Sequence, residues 1–197
     1  GEVLVACDSK EIAAAIDAAG GEAVLTPPGL PSGSDRICHA LRRYDSQETN
    51  DVVINVQGDM PTLDPALIRA SLSLLHDAEV DIGTLAAPVA DGQEISDPAV
   101  VKAIVDAQGR AVDFTRAPAP SQDGRFLHHI GIYAYRRDAL ERFVKLPPSA
   151  REQKEKLEQL RALEAGMRID VAVVDAVPLG VDTPEGLEKA RRHYEAV

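Results

Sequence analysis

The stretch Asn55-Val56-Gln57-Gly58-Asp59-Met60-Pro61 gathers polar side chains at the end of an apolar run that begins at Asp51. After it, Thr62-Leu63-Asp64-Pro65 reads as a helix start, with Asp64 as N-cap and Pro65 at the first helical position. A strand, a sharp turn at Gly58 and a helix place Asp59 just past the carboxyl end of a buried strand, where open α/β sheets bind ligands. A second carboxylate, Asp182, stands in Gly180-Val181-Asp182-Thr183-Pro184-Glu185, again at the mouth of a helix. Two carboxylates converging from separate strands suit a hard cation such as Mg²⁺. That ion takes a few carboxylates and fills its shell with phosphate oxygens and water. Each residue also has a plainer reading, Asp59 as a turn residue and Asp182 as an N-cap.

Other polar groups are spread along the chain. Ser32-Gly33-Ser34-Asp35-Arg36 opens a helix. Backbone N–H groups at such a mouth favour an anion, and Arg36 adds a full charge; the alternative is a capped helix with a solvated Arg. Arg116 ends a strand ahead of a Pro-containing loop. His128 and His129 point to opposite faces of the next strand, and Tyr133 shares the face of His129. The two rings either line a pocket or form the polar side of an edge strand. Glu158 and Gln159 sit beside the apolar stripe of a helix, where exposure is the ordinary outcome. Cys7 and Cys38 are the only cysteines and read as structural. There is no Ser-His-Asp order, zinc spacing or Walker loop.

The elements that must hold these groups alternate. Val3 to Cys7 is a strand, Asp8-Ser9-Lys10-Glu11 a capping turn with Glu11 three residues after Asp8, and Ile12, Ala15, Ile16 and Ala19 the stripe of a helix ended by Gly20-Gly21. Glu22 to Leu25 is a short strand, Thr26 to Ser34 a loop and Asp35 to Tyr44 a helix. Pro65 to His76 is helical and Val80 to Pro88 a strand. Ala99 to Asp106 and Arg110 to Thr115 form a hairpin around Asp106-Ala107-Gln108-Gly109. Ala117 to Gly124 is irregular, Phe126 to Tyr135 a long strand and Asp138 to Val144 a short helix. Ser149 and Glu152 form a capping box opening a helix with Leu157, Leu160 and Leu163 on its core face. Arg168 to Val174 is the last strand, and Asp182 or Thr183 caps the last helix. Such alternation implies an α/β fold, a mostly parallel sheet with helices on both faces. The 197 residues suit one domain, with a small central lobe at about 90–135 of a kind that often makes dimer contacts.

Composition narrows the classes of function. A formal net charge of -11 argues against a nucleic-acid or anionic-membrane surface. No apolar run approaches the ~20 residues of a membrane span, and the N-terminus lacks the basic and apolar regions of a signal peptide. Two cysteines give no disulfide framework, and a reducing, cytoplasmic setting fits best.

Five motifs in one order carry a resemblance across nearly the whole chain. They are Ser32-Gly33-Ser34-Asp35-Arg36, Asn55 to Pro61, His129-Ile130-Gly131-Ile132-Tyr133, Leu157-Glu158-Gln159-Leu160-Arg161 and Gly180 to Glu185. The chain resembles the 3-deoxy-manno-octulosonate (Kdo) cytidylyltransferases. The resemblance implies a Rossmann-like nucleotide-diphospho-sugar transferase fold, a homodimer, Mg²⁺ dependence and a role in lipopolysaccharide biosynthesis. It implies the reaction too, in which the anomeric hydroxyl of Kdo attacks the α-phosphorus of CTP and pyrophosphate leaves. By resemblance Asp59 and Asp182 hold the metal, and Gln57, Arg116, His129, Tyr133, Glu158 and Gln159 meet the sugar acid. Arg36 falls near the nucleotide and sugar site.

The family's loop of the type Pro-Ala-Arg-x-x-Ser-Thr-Arg-Leu-Pro-Gly-Lys, which binds the CTP phosphates, has no counterpart in this sequence, and Met60 stands where the family usually has Glu. The expectation is that a strand-loop-helix unit of roughly 30 residues or more precedes Val3 in the natural protein and that this chain alone is inactive. The competing readings are an acylneuraminate cytidylyltransferase and a non-catalytic module that keeps the sugar-acid pocket.

Overall fold

The strand that carries His129 and Tyr133 is the axis of the sheet. In a computed structural model describing residues 1–89, 96–118 and 126–195, it runs from Phe126 to Arg136 and is the longest strand, β7. Its sequence is apolar on both faces through Ile130 to Tyr135, as a strand covered on both sides requires. Strand β4 (Ile82–Pro88) lies along one edge of β7. The other edge is shared by β5 (Lys102–Val105), which pairs with its first residues, and β3 (Val52–Val56), which pairs with its last. Strand β6 (Ala111–Thr115) forms the expected hairpin with β5, and β8 (Ile169–Val173) borders β4.

The expectation of a mostly parallel sheet needs correction at the level of pairing. Strands β3, β4, β5 and β8 all point one way. Because β7 is threaded between them in the opposite sense, only β4 and β8 pair in parallel within this sheet. The described part of the 90–135 segment continues the main sheet, and Ala103 and Phe114 join its largest core cluster. From residue 119 the irregular stretch expected over Ala117 to Gly124 lies outside the described residues.

Helices cover both faces. One face carries α2 (Gly33–Tyr44), α4 (Arg137–Phe143) and α6 (Gln159–Glu164), with Cys38, Leu140, Phe143 and Leu160 packed on Ile82, Tyr135 and Ile169. The other carries α3 (Pro65–Ser73), continued by a 3-10 turn, with Leu63 and Leu67 against Leu85, Ile130 and Ile132. The cap predicted for α3 is present, Asp64 accepting the Ala66 N–H at 2.7 Å.

Two helix predictions are corrected. The helix opened by Ser149 has its full capping box but ends at Lys156, which adopts φ 58°. The stripe of leucines is thus divided between α5 (Ala150–Glu155), the link at Leu157, and α6. In α1 (Lys10–Ala18) the cap is Ser9 rather than Asp8, because its hydroxyl reaches both the Glu11 and Ile12 N–H groups. The expected stripe is not the buried face of α1; Ala13 is buried, while Ile12 is 48% exposed.

Strands β1 (Val5–Cys7) and β2 (Ala23–Leu25) pair in parallel and form a sheet of their own among the described residues. Helix α2 joins it to the rest. An apolar groove of about 230 Å³, bordered by Leu4, Ala6, Ile37, Leu41, Val52 and Ile54, separates β1 from β3.

Candidate active site

The turn after β3 and the N-terminus of α2 face each other. Helix α2 starts at Gly33 because Ser32 caps it, accepting the Asp35 N–H while its hydroxyl donates to the Asp35 carboxylate at 2.7 Å. The next free N–H, that of Ser34, is taken by Glu158 Oε2 at 3.0 Å. A carboxylate on a helix N-terminus is favoured by the helix dipole and by unpaired N–H groups. Gln57 reaches the same place from β3, its Nε2 3.5 Å from where a Gly33 Cβ would stand, with Glu158 Oε1 at 3.7 Å. Gln57 and Glu158, far apart in sequence, are therefore brought together, and Glu158 is half-buried rather than exposed.

Glu158 is held there by a buried ion cluster. The Arg161 guanidinium donates twice to Glu152, at 2.9 and 2.5 Å, and lies 3.3 Å from Asp35 Oδ2. It also lies over the Phe143 ring, 4.5 Å from its centroid. Arg161 is 2% exposed, so this cluster fixes α5 and α6 to the first turn of α2. A cleft of about 430 Å³ opens beside it, lined by Ser32, Gly33, Pro148, Lys156 and Glu158.

The turns that carry the two aspartates are joined through their backbones. The Val181 N–H donates to the Asp59 carbonyl at 2.8 Å, and the Tyr194 hydroxyl at the end of α7 (Pro184–Glu195) donates to the Pro61 carbonyl. The cap of α7 is Thr183, whose Oγ1 accepts the Gly186 N–H at 3.1 Å. Asp182 is thus not the cap, and its carboxylate and that of Asp59 are both exposed. No group of three or more metal-ligating side chains occurs among the described residues. Two carboxylates with hard oxygen donors fit Mg²⁺, which seldom sits in an all-protein cage.

The remaining predicted residues are placed differently. The Arg36 guanidinium bonds Thr26 Oγ1 and Asp8 Oδ2, tying α2 to the β1–β2 sheet. Arg116 donates to the carbonyls of Pro98, Ala99 and Glu155, and so holds the end of α5, three residues before Glu158. Gln159 is buried at the first position of α6.

His129 is closed inside the core. Its ring lies against Phe114 and Tyr133, and its Nε2 is 3.0 Å from Thr84 Oγ1. The Thr84 hydroxyl donates to the Ile132 carbonyl at 2.8 Å, so the ring nitrogen is the donor. Burial, and then the neighbouring His128, pulls the pKa of His129 down to about 3. Tyr133 is buried next to it, and burial followed by the Glu158 charge raises its hydroxyl well above the ordinary range. Sequence reasoning overlooked Lys102, fully buried with its Nζ on the carbonyls of Asp97 and Arg116. Its place as the one polar residue in the apolar run Val100 to Val105 was the available signal.

Comparison with known proteins places the chain in a family. Residues 1–169 match the family described as cytidylyltransferase. The 3-deoxy-manno-octulosonate cytidylyltransferase of Bradyrhizobium sp. (strain ORS 278) is 61% identical over 196 residues, covering 98% of this chain and 80% of the relative. That of Rhodospirillum centenum is 57% identical over 196 residues, 97% of this chain and 76% of the relative. A solved structure of CMP:2-keto-3-deoxy-manno-octonic acid synthetase complexed with CTP superposes with a TM-score of 0.88 at 37% identity. It covers 100% of this chain and 81% of that one. With residues 1–169 matched to that family and these identities held over nearly the whole chain, this protein belongs to the cytidylyltransferase family, among the 3-deoxy-manno-octulosonate cytidylyltransferases.

Proposed function

We propose that the protein transfers the cytidylyl group of CTP to the anomeric hydroxyl of 3-deoxy-manno-octulosonate, releasing pyrophosphate, as a step of lipopolysaccharide biosynthesis. The observation that carries the reading is the meeting of Gln57 and Glu158 over Gly33, at the exit of the same strand whose turn presents Asp59 beside Val181. A polar sugar acid and a polyphosphate are thereby served by neighbouring walls of one site.

Transfer of this kind depends on positioning and charge neutralisation more than on covalent help. Gln57 and Glu158 bind and orient the sugar. Arg116 and Lys102 hold the loops beside it, and Arg36 adds positive charge on the α2 side. Asp59 and Asp182 would hold Mg²⁺, which when bound would supply charge neutralisation at the α-phosphate and at the attacking hydroxyl. His129 and Tyr133 are uncharged in this arrangement and shape the wall behind Glu158. The protein works as a homodimer in the cytoplasm; the two buried free thiols, Cys7 and Cys38, support a reducing setting.

The test is pyrophosphate release by the full-length protein with CTP and Mg²⁺, using 3-deoxy-manno-octulosonate and N-acetylneuraminate in parallel. Turnover of the octulosonate alone is expected. Preference for the neuraminate sinks the substrate assignment.

A further inference from the structure

Asn55 lies on β3 two residues before Gln57 and is absent from the roles assigned above. It is 4% exposed, and its amide nitrogen has no hydrogen-bond partner. Buried donors are nearly always paired in folded proteins, since an unpaired one loses its hydration without return. This donor is aimed at the N-terminus of α2. A Cβ built on Gly33 has Asn55 Nδ2 at 3.8 Å, besides Gln57 Nε2 at 3.5 Å and Glu158 Oε1 at 3.7 Å. Two amide donors and one carboxylate thus surround a single point, kept open because residue 33 has no side chain.

The chemistry of that point selects its ligand. A carboxylate or phosphate oxygen gains from the amides but is repelled by Glu158. An apolar group leaves all three unpaired. A hydroxyl accepts from an amide and donates to the carboxylate, so it alone satisfies both kinds of partner.

We propose that Asn55 is a substrate-contact residue. Its amide donates to a hydroxyl of the sugar acid, that hydroxyl donates to Glu158 Oε1, and the bare Cα of Gly33 provides the space. The proposal rests on the sugar-acid site described under the proposed function. Asn55 is closed from solvent without ligand, so binding includes a turn of the half-exposed Gln57 side chain, which crosses Gly131 to reach the same point.

Calorimetric titration of 3-deoxy-manno-octulosonate into wild type, Asn55→Leu and Gly33→Ala, with Tm measured for each, tests it. Leu keeps the size of Asn and removes the donor. Ala at 33 meets only ordinary contacts and improves helix propensity. Both variants are expected to keep or raise Tm while weakening binding about tenfold or more, the loss of one hydrogen bond and its orphaned partner. Asn55→Leu binding as wild type at equal Tm overturns the proposal. So does a parallel loss of Tm and binding, which makes Asn55 structural. Single-deoxy analogues provide a second measurement that needs no variant. One of them is to bind wild type about tenfold more weakly and Asn55→Leu no more weakly than the parent sugar, whereas equal binding of all analogues to wild type overturns the contact. Absence of octulosonate binding by wild type removes the underlying site reading instead.

Discussion

Val181 donates its backbone N–H to the carbonyl of Asp59 at 2.8 Å. This bond joins the turn after β3, which carries Asp59, to the turn before α7, which carries Asp182. Because Thr183 supplies the helix cap, the Asp182 carboxylate is available for a cation. In the full-length protein, Asp59→Asn and Asp182→Asn are each expected to reduce turnover by at least a hundredfold, with Tm within a few degrees of wild type. Turnover measured against Mg²⁺ concentration checks this, and normal activity with unchanged Mg²⁺ dependence in both variants contradicts the paired role.

Arg161 predicts a loss of stability. Replacing it by Met strands Glu152, 7% exposed, without its guanidinium. Breaking a buried pair on one side costs about 3–5 kcal/mol. Urea unfolding of Arg161→Met should show a drop of that order, and Glu152→Gln in the Arg161→Met background should recover part of it.

His129 makes stability depend on acid. Its folded pKa of about 3 lies below the ordinary 6.5, so the unfolded chain binds the extra proton between these values. The stabilising effect is complete above about pH 6.5 and is lost as pH falls toward 3. A slope of roughly 1.4 kcal/mol per pH unit belongs to this one proton. His129→Gln should flatten the stability profile by that amount between pH 6 and pH 4, as followed by denaturant unfolding at each pH.

Lys102 ties a buried charge to Arg116, whose guanidinium holds the end of α5. Its Nζ bonds the carbonyls of Asp97 and Arg116 at 2.6 and 3.2 Å. Lys102→Met keeps the bulk but takes the ammonium from the Arg116 carbonyl, while the Asp97 carbonyl keeps the Val100 N–H, for an expected loss of about 1–3 kcal/mol. If the clasp positions the loop near Glu158, the KM for the sugar acid rises more than kcat falls. A change in stability with unchanged kinetic constants limits Lys102 to the fold.

What the sequence determined by itself was local. The Asp64 cap with Pro65, the Ser149–Glu152 box and the Asp106 to Gly109 turn each depend on residues within four positions, and all are present in the structure. The alternation of strands and helices, and hence the α/β class, followed from hydrophobic periods of the same short range. The tertiary structure decided what joins across distance. Ser34 and Glu158 are 124 positions apart, and Arg161 and Asp35 are 126 apart. No local pattern encodes which helix end faces which carboxylate. The opposite sense of β7 was hidden for the same reason, since a strand buried on both faces has the same apolar run whichever way it points. The break at Lys156 and the burial of His129 were tertiary outcomes too, because packing of α5, α6 and β7 around one core outweighed the helical stripe and the polarity of the ring.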